Sequence, residues 1–154
     1  MTQLVLRFWG FMLIAVLLTA GGAAQSTVDL ATDYPDLEPR PLAEWTILAY
    51  YGGDNDLESH ILNDFNEFEL AGGSTEQVRI LVLLDRLPGG YTSPENDWSG
   101  ARLYEVQADT SADQAVKYPP TLDSQPLADL GDVDTGDAQT LIEYLAWGIR
   151  TYPA

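Results

Sequence analysis

The side chains of this sequence best suited to chemistry follow two apolar runs. Asp54, Asn55 and Asp56 come after Trp45-Thr-Ile-Leu-Ala-Tyr-Tyr51 and a Gly52-Gly53 pair, with Glu58 just beyond. Asp85 and Arg86 come directly after Val78-Arg-Ile-Leu-Val-Leu-Leu84. Carboxylates and amides so placed can cap a helix, line a substrate cleft or ligate a hard cation. An EF-hand reading of Asp54-x-Asp56 fails on spacing. No glycine stands at the sixth loop position, and Phe65 stands where a glutamate is required. For Asp85 and Arg86 a local ion pair or turn anchor is the simpler role, and a cleft role is the other.

Other familiar chemistries are excluded. The chain has no cysteine, so it holds no thiolate nucleophile, no thiolate metal site, no disulfide and no lipid-bearing cysteine. His60 is the single histidine, which rules out a two-histidine zinc site. Ser59 is its neighbour in sequence, but adjacent residues on a helix point about 100° apart. No Gly-x-Ser-x-Gly pattern is present. His60 reads as a partly exposed helical histidine.

The elements that carry these residues are legible. Residues 45–51 are rich in β-formers and almost continuously apolar, as in a strand buried on both faces. Leu57, Ile61, Phe65 and Phe68 then recur at helical spacing. The acids before them cap that helix and face its positive end, and Gly72-Gly73 closes it. Residues 78–84 predict a second buried strand, parallel to the first. Residues 87–100 read as a Gly/Pro/Asn loop. Arg102, Tyr104 and Val106 alternate with Leu103 and Glu105, which predicts a third, shorter strand near an edge. Residues 107–126 read as irregular, and Leu127 to Val133 as a candidate short extended stretch. Asp137 caps a final helix with Leu141, Leu145 and Ile149 on one face, broadened by Tyr144 and Trp147, and Pro153 ends it. Strand, helix, strand, strand, helix is the opening of an α/β sandwich. Two helices cannot cover a wide sheet, and the sequence stops where such a fold would lay its next strand, so the domain is expected to be incomplete.

Seven Lys+Arg stand against 24 Asp+Glu among 154 residues, a formal charge of -17. Nucleic acid and anionic lipid are poor partners for such a chain, because both are held by Lys and Arg. Acidity of this order keeps a protein soluble or attracts cationic partners. Residues 1–24 read as an export signal: Arg7, an apolar run from Phe8 to Ala20, then Gly21-Gly22-Ala23-Ala24, with cleavage expected after Ala24. The alternative is an uncleaved anchor, although a spanning helix needs about 20 apolar residues. Either way the folded part is expected outside the cytoplasm. Residues 25–43, with Pro35, Pro39 and Pro41 among Asp29, Asp33, Asp36 and Glu38, read as a linker or pro-segment without regular structure. Residues 44–154 form the domain.

Five motifs in this domain occur together in one known family. They are Trp45-Thr46-Ile47-Leu48-Ala49-Tyr50, then Gly53-Asp54-Asn55-Asp56-Leu57-Glu58, then Leu84-Asp85-Arg86, Arg102-Leu103-Tyr104, and Gly136-Asp137-Ala138-Gln139-Thr140-Leu141 leading to Tyr152-Pro153-Ala154. In this order they resemble the N-terminal part of the clostripain-type cysteine peptidases. Ala138 departs from the proline common at that position. The resemblance implies a caspase-like α/β/α fold and a Cys-His dyad in which a thiolate attacks the scissile carbonyl. It implies a preference for a basic residue before the cut and a polypeptide substrate. It assigns no catalytic residue here, because the family's His and Cys lie beyond the Tyr-Pro-Ala segment and His60 does not match. Asp54, Asn55, Asp85 and Arg86 become substrate-cleft candidates. Nothing in the composition calls for a cofactor; the resemblance leaves calcium open. On this reading the chain is an enzyme fragment, inactive alone, whose partner is its missing C-terminal half. The competing expectation is a secreted, non-catalytic acidic α/β binding module.

Overall fold

A computed structural model describes residues 13–16, 34–90, 98–110 and 121–154. The expected cleavage after Ala24 lies outside them. Among the described residues no helix is long and apolar enough to cross a membrane.

The sheet is built on β2 (Trp45–Gly53) and β3 (Val78–Arg86). They run parallel, in register from Trp45 opposite Val78 to Gly53 opposite Arg86. Parallel neighbours need a crossover, and α1 (Glu58–Leu70) supplies it. β4 (Gly100–Glu105) lies antiparallel to β3, and β5 (Pro126–Gly131) lies antiparallel to β4. β4 is therefore the last strand but one, near an edge as its short alternation suggested. The ambiguous stretch at Leu127 is the strand that covers it. On the far side of β2, β1 (Leu13–Val16) pairs antiparallel with Ile47 to Tyr50. The last element is α2 (Ala138–Thr151).

One helix packs on each face of the sheet. Ala49, Tyr51, Ile80, Val82, Leu84 and Tyr104 meet Leu62 and Phe65 of α1. Leu48, Leu81, Leu83, Ala101 and Leu103 meet Tyr144 and Trp147 of α2, together with Tyr152. Alternate residues of β3 thus feed opposite cores, which is why residues 80–84 are an unbroken apolar run. Each fully buried leucine there contributes about 1.5–3 kcal/mol. The architecture is mixed α/β in three layers.

The helix faces differ from the periodicity. On α1 the buried residues are Glu58, Leu62, Phe65, Asn66 and Glu69, and Leu57 is exposed. On α2 they are Thr140, Glu143, Tyr144, Trp147, Gly148 and Thr151, and Ile149 is exposed. Glu69 explains part of the first rotation. Its carboxylate accepts from the Ser124 amide at 2.6 Å and the Asp123 amide at 3.2 Å, while Ser124 Oγ accepts from the Gln107 amide at 2.9 Å. Burial pushes this carboxyl above its ordinary range, and those hydrogen bonds oppose the rise.

Two of the helix ends, the start of α2 and the end of α1, match their signals. The Asp137 side chain accepts from the Gln139 amide at 2.9 Å. Gly72 and Gly73 take φ of 108° and 60° after α1. Residues 34–43 hold no helix or strand, as the prolines require, but they pack along α2. Tyr34 stacks on Trp147, the Arg40 amide donates to Thr151 O, and the Ala43 amide donates to Pro153 O.

The pairing of β1 has a testable consequence. Leu13–Val16 belongs to the stretch expected to leave with the export signal. A chain beginning at Gln25 then presents the β2 edge unpaired, and unpaired apolar edges join other strands. We expect the 25–154 chain to self-associate in size-exclusion chromatography. A monodisperse monomer that melts cooperatively would show that β2 needs no cover.

Candidate cleft at the ends of the parallel strands

Asp54, Asn55, Asp85 and Arg86 do converge, at the C-terminal edge of β2 and β3. The register sets Gly52 beside Asp85 and Gly53 beside Arg86. The strands approach closely there: a Cβ on Gly53 would lie 2.7 Å from Asp85 O. Only glycine fits, and it lets the chain leave β2 over the end of β3.

The four candidates do different things. Asn55 organises the turn. Its Nδ2 donates to Gly52 O at 2.8 Å, and its Oδ1 accepts from the Leu57 amide at 2.9 Å. The N-cap position itself is Leu57, which gives no side-chain cap. Asn55 therefore serves the helix start from two residues upstream, and the capping role expected of this cluster falls to one member. Asp54 and Asp56 are exposed.

Arg86 turns away from the edge and into the protein. Its Nε donates to Glu58 Oε1 at 2.7 Å, with side chains 1% and 5% exposed. The indole of Trp98 lies over it at 4.7 Å, and Arg102 stacks on the same ring at 4.3 Å. The ion pair suggested for this strand end exists, but its carboxylate is Glu58, which the sequence offered only as a first-turn acid.

Asp85 is the buried acid of the site, 4% exposed. Its Oδ2 accepts from Thr135 Oγ1 at 2.8 Å, and the Tyr50 hydroxyl donates to Thr135 O at 3.1 Å. Desolvation pushes the Asp85 carboxyl above its ordinary range; the Thr135 hydrogen bond opposes this, and Asp54 and Asp132 add to it. A carboxylate raised by folding destabilises the fold while ionised. That penalty is absent at low pH and grows as pH rises through the folded-state pKa. Asp85→Asn removes the charge and keeps the shape. We expect its stability, relative to the parent, to improve from pH 3 to pH 7 in urea melts. A pH-independent difference would mean that Asp85 is well solvated.

Thr135, Tyr50, Glu58 and Trp98 were missed as parts of this edge. Thr135 lies just before the α2 cap, and Tyr50 stands inside the apolar run 45–51; neither position signals a polar role at this edge. His60 is exposed on α1. Among the described residues no group of three or more Asp, Glu, His or Cys is arranged to hold a metal ion. The edge therefore offers carboxylates, one of them buried, to a cationic group, and the chain supplies no thiolate to attack a bond. No family model and no curated protein matches this chain.

Proposed function

We propose that this chain is the N-terminal part of a secreted clostripain-like cysteine endopeptidase with a caspase-like α/β/α fold. One observation carries the reading. The Gly-Asp-Asn and Leu-Asp-Arg motifs are separated in sequence by all of α1, yet they meet at the C-terminal edge of adjacent parallel strands. Ligands of open α/β sheets bind at that edge. The carboxylates of Asp54 and Asp85 would attract the basic residue before the scissile bond. Asn55 would hold the turn that presents Asp54, and Arg86 would brace the strand end. The thiolate and its histidine would come from polypeptide beyond these 154 residues. The chain alone would then bind without cleaving.

The test is to read the gene past the codon for Ala154 and assay its whole product. We expect the frame to run into a strand bearing His-Gly and later an Asp-x-Cys. The product should cleave a peptide after arginine and lose activity on thiol alkylation. A stop codon followed by no such coding sequence overturns the reading. The second reading, an acidic binding module, then stands. It is favoured by the exposed Asp54, Asp132, Asp134 and Asp137, which share this edge with Asp85 and Tyr50.

A further inference from the structure

A cavity of about 220 Å³ lies at the opposite end of the sheet, between the 34–43 segment, β3 and β4. Arg40, Arg79 and Glu105 line it, with Ser74 in its wall. We propose that it binds a small oxyanion, a phosphate or a carboxylate, through Arg40 and Arg79.

Charge is the first argument. The chain carries seven Lys+Arg and a net charge of -17, yet two of the seven meet at this cavity. They share one carboxylate. Arg79 Nη1 lies 3.2 Å from Glu105 Oε1, and Arg40 Nη2 lies 3.7 Å from Glu105 Oε2. Glu105 Oε2 also accepts from the Tyr152 hydroxyl at 3.0 Å. One carboxylate cannot neutralise two guanidiniums, so the cavity keeps an excess positive charge in an acidic protein.

Unused donors are the second argument. A guanidinium has five N–H groups in a fixed fork. Arg79 spends Nη1 on Glu105, and its side chain, 19% exposed, lines the cavity with the rest of its fork. The Arg40 side chain is 47% exposed, so donors of its fork remain open to a ligand. Forks of this kind match the paired oxygens of carboxylate and phosphate.

Preorganisation is the third. Arg40 is fixed through its amide, 2.7 Å from Thr151 O, and its guanidinium lies 5.8 Å from the Tyr152 ring centroid. Ser74 Oγ accepts from the Ile80 amide at 2.9 Å, which holds the wall. The cavity has room for several waters, at about 30 Å³ each, and so for one tetrahedral or planar anion.

The test is titration of the full chain with inorganic phosphate and, separately, with acetate, at ionic strength held constant with chloride. The readouts are the Arg79 Nε–H and Gln107 amide signals in proton–nitrogen correlation spectra. We expect saturable shifts with at least one anion, and the one that saturates names the class. Arg40→Gln, a change on a half-exposed side chain, should weaken binding about tenfold or more. Arg79→Gln should weaken it as well, and Arg150→Gln on the exposed face of α2 should leave it unchanged. Shifts that rise without saturating, that chloride reproduces, or that persist equally in Arg40→Gln overturn the proposal.

Discussion

Arg86→Ala is expected to lower the stability of this protein by about 3–5 kcal/mol. The cause is the carboxylate left behind. Glu58 is buried against the guanidinium at 2.7 Å, and truncating Arg86 strands a charge where water does not reach. The Trp98 ring loses one of its two cationic neighbours at the same time. Removing both charges should behave differently. Glu58→Leu with Arg86→Met fills similar volume without a charge to desolvate, and such replacements are often neutral or stabilising. We therefore expect the double variant to recover most of the loss in urea melts at unchanged m-value. A single-variant cost below about 1 kcal/mol would place the pair in the range of solvated ion pairs. For the candidate cleft the consequence is positional: Arg86 shares the strand end with Asp85, so its anchoring keeps the acidic edge in place.

How far the sequence reaches depends on whether a feature is set locally or by packing. β2 and β3 were legible because a strand buried on both faces must be apolar throughout. The Asp137 cap and the Gly72-Gly73 stop were legible because one residue's geometry decides each. The helix faces were not. Periodicity places Leu57 and Ile149 inward, but the sheet selects Glu58, Asn66 and Glu69 on α1 and Gly148 on α2. Gly148 shows why: a Cβ there would lie 2.7 Å from Leu48 Cδ2, so the closest approach of helix and strand falls at a residue that hydropathy does not mark. The buried polar residues follow the same rule. Glu58 is inside because Arg86 is, and Glu69 because the Asp123 and Ser124 amides need an acceptor. Such pairings join residues far apart in sequence. At the candidate cleft, Asp54, Asn55, Asp85 and Arg86 were legible as motif residues at strand ends, while Thr135 required the fold to bring the α2 cap over Asp85.

Trp147→Ala is expected to cost about 3–5 kcal/mol, the range for deleting a fully buried large aromatic. Trp147 is 0% exposed, and residues 34–35 and 152 close around it. Tyr34 stacks on it with centroids 5.7 Å apart, Tyr152 lies at 5.8 Å, and Nε1 donates to Pro35 O at 2.9 Å. The prolines of residues 34–43 deny that segment a helix or strand ladder, so its position rests on such side-chain contacts and on the amides of Arg40 and Ala43. Trp147→Phe separates the two components. It keeps a ring for Tyr34 and loses the Pro35 hydrogen bond, worth about 0.5–1.5 kcal/mol. We expect hydrogen exchange at the Arg40 and Ala43 amides to accelerate strongly in Trp147→Ala and weakly in Trp147→Phe. Equal protection in both would mean that the amide bonds alone hold the segment. The outcome bears on the oxyanion cavity, since Arg40 reaches it from this segment. If Trp147→Ala frees the segment while β2 to β5 stay protected, phosphate or acetate binding should weaken as it does in Arg40→Gln, through loss of position and not of charge.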